Sequence, residues 1–116
     1  MAGVVARYPV SYLAPLPPVM QAADSIRSRL PVSKVVLFGS KARGSSDVFS
    51  DIDLLVITSC PVTPTLRDTI SDTLAEINLQ NDVLLSSVVV YEQDWVDGLI
   101  RYMPFYNEIQ RDGCEI

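Results

Sequence analysis

The sequence predicts an α/β fold, in the wide sense that includes α+β: one small mixed sheet with helices packed mainly on one face. Apolar runs of strand length alternate along the chain with segments in which apolar residues recur every three or four positions. The strand-like runs are rich in valine, leucine and isoleucine, which suit a half-buried sheet. With 116 residues, of which 48% are hydrophobic, the chain can build a single domain with a real core.

The first half of the chain divides into a proline-rich lead and the first elements of the sheet. We expect residues 1–17 to form a loosely ordered lead or an edge segment, because proline discourages regular structure there. Residues 18–116 are expected to form the domain itself. The elements predicted in its first part are a helix from Pro18 to about Leu30, a strand over Val35–Phe38, a short helix over Ser40–Gly44 and a strand over Ile52–Thr58.

The second half predicts two longer helices on either side of a third strand. Thr63 is a candidate N-cap with Pro64 at the first helical position, and the helix is expected to reach about Leu79. Its buried stripe is predicted to hold Leu66, Ile70, Leu74 and Ile77. The later elements are predicted as a strand over Asp82–Val90, a helix over Glu92–Met103 with Trp95, Leu99 and Met103 facing inward, a helical turn over Asn107–Asp112 before Gly113, and a strand beginning at Cys114.

Composition argues against several classes of protein. The net charge of −5 and the isoelectric point of about 4.4, with lysine and arginine scattered, argue against a dedicated nucleic-acid binder. The chain has no run of about 18 apolar residues, so we expect no membrane span. Cys60 and Cys114 are the two cysteines and histidine is absent, so we expect no zinc site and free thiols in a reducing cytoplasm.

The candidate site lies where two predicted strands meet a polar loop. Gly39 and Ser40 follow the first strand, while Asp51 and Asp53 begin the second. Carboxylates two residues apart on a strand point the same way and repel each other unless a cation such as Mg²⁺ or Mn²⁺ lies between them. Gly39 would let a ligand approach the backbone, and a helix beginning at Ser40 would offer N–H groups to phosphate oxygens. The pattern therefore predicts phosphoryl or nucleotidyl transfer.

These residues carry a resemblance to a known family. The segments GSKARG and SDIDLLV, at this spacing, resemble the minimal (MNT-type) nucleotidyltransferases of the DNA polymerase beta-like nucleotidyltransferase superfamily. The resemblance implies the nucleotidyltransferase fold and two-metal catalysis. It also implies a third acid on a later strand, so that Asp51, Asp53 and Asp82 would be the catalytic and metal-binding residues. Because Asp82 follows Asn81, it could equally be a turn residue.

The same resemblance implies where the nucleotide binds. Gly39 would give room for it, Ser40 would hydrogen-bond a phosphate, and Arg43 would contact the triphosphate or pair with a site carboxylate. The substrate would be an NTP, with ATP as the donor of AMP and Mg²⁺ or Mn²⁺ as the cofactor. So small a member resembles the antitoxin of a toxin–antitoxin module, whose partner would be a helical HEPN-type toxin modified on a hydroxyl.

Two other functions remain open at this point. The chain could be a catalytically silent antitoxin that masks a toxin by contact alone. It could instead be a small-molecule nucleotidyltransferase of the antibiotic-modifying kind, although such enzymes usually have a second domain. The apolar segment that contains Trp95, Leu99, Ile100, Tyr102, Met103 and Phe105 holds more large side chains than one helix face can bury. We therefore expect part of this segment to contact another chain.

Overall fold

The computed structural model describes residues 6–7, 16–39 and 51–116. In chain order the elements are β1 (Ala6–Arg7), α1 (Leu16–Arg29), β2 (Val32–Phe38), β3 (Ile52–Thr58), α2 (Pro64–Asn81), β4 (Leu85–Tyr91), α3 (Glu92–Asp97), a 3₁₀ helix (Leu99–Tyr102), α4 (Pro104–Asp112) and β5 (Cys114–Glu115). None of the helices in these ranges is both long enough and apolar enough to cross a membrane.

The described strands form one mixed sheet of five strands in the order β1-β5-β2-β3-β4. Strand β2 runs antiparallel to both of its neighbours, β3 and β5. Strands β3 and β4 are parallel, and α2 makes the crossover between them. The predicted mixed sheet is thus confirmed, and the short pair Ala6–Arg7 adds an edge strand beside β5.

The two faces of the sheet carry different cores. The aliphatic face packs against the two long helices, α1 and α2, as the sequence predicted, and the aromatic face is covered by α3, the 3₁₀ helix and α4. The aliphatic face includes Val35, Leu37, Leu54 and Val56 of the central strands, with Val19, Ala22, Ala23 and Ile26 of α1 and Leu66, Ile70, Leu74 and Ile77 of α2. The aromatic face is formed by Val36, Phe38, Leu55, Ile57, Trp95, Tyr106 and Ile109.

Helix α2 begins and packs as its sequence predicts. The Oγ1 atom of Thr63 accepts a hydrogen bond of 3.1 Å from the N–H of Leu66, and Pro64 lies in the first turn. The four residues of the predicted stripe, Leu66, Ile70, Leu74 and Ile77, are the buried residues of this helix. The cap satisfies a backbone donor that the helix cannot pair internally, and the stripe attaches the helix to the sheet.

The expected single helix over Glu92–Met103 is wrong. Helix α3 ends at Gly98, whose backbone is extended (φ −79°, ψ 176°), and the chain continues as a 3₁₀ helix. Trp95 is buried as predicted, but the break turns Leu99 outward, where it is 84% exposed, and leaves Met103 52% exposed. A helical period carried across a glycine therefore gave the wrong face for the second half of the segment.

The end of the described chain follows the prediction more closely. Helix α4 ends before Gly113, and Cys114 then pairs with Leu37 of β2. Both cysteines are free thiols, as expected. Burial, together with the nearby carboxylate of Asp112, raises the pKa of the Cys114 thiol.

Candidate functional site

Asp53 lies on strand β3, between register partners on the two neighbouring strands. In the sheet register, Asp53 of β3 lies opposite Phe38 of β2 on one side and Ser86 of β4 on the other. Asp53 alternates with Leu55 along β3 and therefore projects from the aromatic face, near the end of the sheet where β2 stops. The half-buried Asp53 is thus flanked by the last residue of β2 and by a residue of β4.

Gly39 is required by the position of that carboxylate. Its backbone lies in the left-handed region, with φ at +78°, which glycine adopts without strain. A Cβ atom added to Gly39 would lie 2.6 Å from Oδ2 of Asp53, which is closer than real Cβ contacts. The sequence assigned this glycine to nucleotide binding, and the structure shows that the space beside it already accommodates the Asp53 side chain.

Ser86 contacts the candidate site residue Asp53, a contact that the sequence reasoning missed. Its hydroxyl donates a hydrogen bond of 3.1 Å to Oδ1 of Asp53. The only signal in the sequence is that Ser86 and Ser87 interrupt a run of valine and leucine. That signal does not say which serine points at the site, because neighbouring strand residues face opposite ways.

Asp51 lies next to this group. It is exposed and comes directly before β3, and Ile52 between the two aspartates is buried in the core of the aliphatic face. Because side chains alternate, the two aspartates flank a residue that points to the opposite face. The predicted carboxylate pair is therefore compatible with the backbone of this segment, with Asp51 open to solvent and Asp53 held between strands.

Asp82 does not begin the third strand, contrary to the prediction. It is the exposed C-cap of α2, with a left-handed backbone (φ 53°, ψ 46°), and its N–H donates to the carbonyl of Asn78. Strand β4 starts only at Leu85. The turn interpretation of Asp82 thus describes its backbone, since aspartate tolerates this conformation better than most residues. Its role as a third catalytic acid stays a prediction.

The described carboxylates do not form a three-ligand cluster. Among residues 6–7, 16–39 and 51–116, no group of three histidine, cysteine, aspartate or glutamate side chains is placed to hold a metal ion. The acids that could act together here are Asp51 and Asp53. The predicted nucleotide-binding residues Ser40 and Arg43, with the short helix over Ser40–Gly44, lie outside the described residues.

Comparison with known proteins identifies the class to which this sheet and site belong. The chain belongs to the nucleotidyltransferase domain family, whose sequence profile matches residues 19–112. The match runs from within α1 to the end of α4 and so includes the three longer strands, Asp51, Asp53 and the helices on both faces of the sheet. The resemblance to nucleotidyltransferases that the spacing of Gly39, Ser40, Asp51 and Asp53 suggested is thereby confirmed at the level of this family. No curated protein sequence matches the chain.

Solved structures agree with this class at the level of the fold. A chain in the crystal structure of a toxin–antitoxin with AMP-PNP superposes with a TM-score of 0.55 at 15% identity, over 84% of this chain and 68% of that chain. A chain in a mutant of the toxin–antitoxin MntA-HpeT gives a TM-score of 0.53 at 17% identity, over the same shares. The shared property is the nucleotidyltransferase fold.

Proposed function

We propose that the chain transfers a nucleoside monophosphate, AMP from ATP, to a hydroxyl of a helical HEPN-type toxin, and that it thereby acts as an antitoxin in the cytoplasm. The observation that carries the proposal is the position of Asp53. In a chain of the nucleotidyltransferase family, its carboxylate is held between Gly39 and Ser86, with Asp51 two residues before it. The similar folds come from toxin–antitoxin structures, one of them with AMP-PNP, which supports this partner and this nucleotide.

The donor atoms at this site fit a magnesium or manganese ion. Mg²⁺ is usually held by one or two carboxylates together with substrate phosphates and waters. Asp51 and Asp53 would provide these two carboxylate ligands. The described part of the chain contains no group of three or more His, Cys, Asp or Glu side chains placed to hold a metal ion. When bound, the ion would offset the charge of the triphosphate and of the departing pyrophosphate. We propose Ser40 and Arg43 as triphosphate contacts on the strength of their sequence positions.

The protein residues then have separate tasks in the transfer. Asp53 offers a carboxylate whose orientation is fixed by its neighbours before the substrate arrives, which lowers the cost of reorganisation. Gly39 keeps the space beside that carboxylate free of a side chain. Asp51, which is exposed, offers the carboxylate that an incoming nucleotide can reach from solvent. The bond formed joins the acceptor oxygen to the α-phosphorus, and the bond broken joins that phosphorus to the bridging oxygen, which leaves with pyrophosphate. The hydroxyl proton is released to solvent.

An exposed apolar surface supports the proposal of a protein partner. Leu99 is 84% exposed and Tyr102 is 82% exposed, and Met103 lies beside them at the start of α4. Large side chains at such exposure are a common sign of a protein contact when they lie together in sequence. The net charge of −5 favours a basic partner, which would be attracted over distance. Neither a membrane nor direct binding of nucleic acid is part of this proposal.

Co-purification from the native operon tests the function directly. We expect a second protein to purify with the chain, and mass spectrometry to find a nucleoside monophosphate on it after incubation with ATP and Mg²⁺. The matched control is the double variant Asp51→Asn, Asp53→Asn, which keeps side-chain size but removes both charges. It should retain the fold and lose both the modification and metal-dependent nucleotide binding in calorimetry.

The other functions give different outcomes in the same experiment. If the double variant still binds the partner and protects cells fully, the chain acts by contact alone. If the chain purifies as a monomer and transfers the nucleotide to a small metabolite, it is a small-molecule nucleotidyltransferase. Unchanged nucleotide affinity in the double variant would show that the site has been assigned to the wrong residues.

A further inference from the structure

We propose that Ser86 is the positioning residue of Asp53, and that β4 contributes a hydroxyl to the site at the strand position closest to that carboxylate. The proposal rests on the function proposed above, because it concerns how the same site is held. The direct observation is the hydrogen bond of 3.1 Å from the Ser86 hydroxyl to Oδ1 of Asp53. The two residues are also register partners on adjacent parallel strands, about 4.8 Å apart in such a sheet.

The position of Ser86 is fixed by contacts outside the site. The side chain of Asn78 near the end of α2 binds the start of β4 twice. Its Oδ1 accepts a hydrogen bond of 2.7 Å from the N–H of Leu85, and its Nδ2 donates one of 3.2 Å to the carbonyl of Leu85. The N–H of Ile52 donates to the carbonyl of Leu84 at 2.8 Å, which ties the same point to β3. A shift of β4 by one residue would break these bonds and turn Ser87 toward the site.

These contacts restrict the orientation of the Asp53 carboxylate at both of its oxygen atoms. Oδ1 is held by the Ser86 hydroxyl, and Oδ2 lies against the bare Cα of Gly39. A carboxylate has about four lone-pair positions, so a single accepted hydrogen bond leaves positions for a cation and for water. Hydrogen-bonded partners behind a metal-binding side chain commonly raise metal affinity, since they remove freedom that binding would otherwise have to remove.

Of the two candidates Ser86 and Asp82, Ser86 is the one that contacts Asp53. Asp82 caps α2, outside β4, whereas Ser86 lies within the strand and in register with β3. A carboxylate introduced at Ser86 should therefore lie beside Asp53, whereas one introduced at Ser87 should point toward α2. This contrast provides a matched pair of substitutions on one strand.

The experiment measures binding of Mn²⁺, alone and with AMP-PNP, by calorimetry on the whole chain. We expect Ser86→Ala to weaken Mn²⁺ binding by about tenfold, in line with the loss of other hydrogen bonds behind metal-binding groups. Ser86→Thr keeps the hydroxyl on a side chain that suits a strand, and it should restore most of the affinity.

A second measurement is the melting temperature of two aspartate variants. Ser86→Asp should lower the melting temperature without metal, through repulsion from Asp53, and Mn²⁺ should restore it. Ser87→Asp should show no metal-dependent recovery.

The possible outcomes distinguish the role of Ser86 from the proposed function of the chain. Wild-type binding of Mn²⁺ with AMP-PNP, together with unchanged binding in Ser86→Ala, would overturn the role of Ser86 and leave the proposed function standing. Loss of binding in Asp82→Asn with normal binding in Ser86→Ala would assign the task to Asp82 instead. If the wild type binds no Mn²⁺ and no AMP-PNP, both the proposed function and the role of Ser86 are wrong. Equal recovery by Mn²⁺ in Ser86→Asp and Ser87→Asp would also overturn the proposal.

Discussion

The aliphatic and aromatic faces of the sheet are built from the same strands and differ in what covers them. Two long helices, α1 and α2, cover the aliphatic face with branched side chains that are almost fully buried. Two short helices and a 3₁₀ helix cover the aromatic face, where ring contacts replace aliphatic ones: the centroids of Trp95 and Tyr106 lie 4.7 Å apart, and those of Phe38 and Phe105 lie 5.2 Å apart. Two continuous helices thus cover the aliphatic face, whereas three short helical segments cover the aromatic face.

The aromatic face holds one unpaired buried donor and several exposed apolar side chains among the described residues. The indole N–H of Trp95 is a buried donor for which the described residues provide no hydrogen-bond partner. Leu99 and Tyr102 on the 3₁₀ helix are largely exposed. Asp53 and Ser86 project from this same side of the sheet. We therefore expect the aliphatic face to provide most of the folding free energy, whereas the aromatic face holds the candidate site residues Asp53 and Ser86 and the exposed side chains.

The largest effect on stability should come from the aliphatic face, and one matched pair of substitutions tests it. Ile70 of α2 and Ile109 of α4 are both fully buried, one on each face. Ile70→Ala should lower the free energy of unfolding by about 2–5 kcal/mol, because long helices leave a cavity that cannot close. Ile109→Ala should cost less, because a short helix can move to fill the space. Urea denaturation measures both, and an equal or larger loss for Ile109→Ala would break the comparison.

Gly39→Ala should have the next largest effect, and it should act at the site as well as on the fold. The left-handed backbone at φ +78° would cost about 1–3 kcal/mol for a residue other than glycine. The new methyl group would also displace the Asp53 carboxylate, so binding of Mn²⁺ with AMP-PNP should fall. Thermal unfolding and calorimetry measure the two effects separately.

A double substitution tells the two causes of the Gly39→Ala effect apart. In an Asp53→Ala background the added methyl group no longer meets Oδ2, whereas the backbone cost remains. The stability loss caused by Gly39→Ala should therefore be smaller in that background, as expected for residues in contact. An identical stability loss in both backgrounds would mean that the contact between the added methyl group and Asp53 does not contribute to the free energy of unfolding.

The parts of this molecule that could be predicted from sequence are those determined by neighbours in the chain. The cap at Thr63 depends on a short spacing that leaves a clear pattern, and so does the family match, which the spacing of Gly39, Asp51 and Asp53 indicated; the roles of these three residues stay a prediction. Ser86 could not be found this way, because its position depends on contacts of Asn78 that fix the register of β4. The family resemblance predicts the third acid at Asp82, which the structure places at the end of α2, before the strand that pairs with β3.

The same limit explains the error at the 3₁₀ helix. A period of apolar residues predicted that Leu99 and Met103 face inward, and the change of direction at Gly98 cancels that pattern. Glycine inside an apolar period does not by itself say whether the helix continues, since isolated glycines are tolerated in helices. Two side chains that the sequence predicted in the core, Leu99 and Met103, are thus exposed at the surface.

Asp53→Asn should change stability less than the substitutions above, and in the opposite direction. We expect two like charges two residues apart to disfavour the metal-free folded state, and the substitution removes one of them. Oδ1 of the asparagine can still accept the hydrogen bond from Ser86. The metal-free variant should melt at the wild-type temperature or above it. A melting temperature several degrees lower would show that Asp53 is mainly a structural residue.

The smallest effect on stability is expected at the exposed edge of the aromatic face. Leu99→Ser removes an apolar side chain that is 84% exposed, so the free energy of unfolding should change by no more than about 0.5 kcal/mol. If this surface contacts the partner, the same substitution should reduce the amount of protein that co-purifies from the native operon. Leu79→Ser is the control, because Leu79 is 88% exposed but lies on α2, away from the 3₁₀ helix. Equal co-purification of the two variants would show that the aromatic face has no special role in binding, whereas a selective loss in Leu99→Ser would place the partner against the 3₁₀ helix.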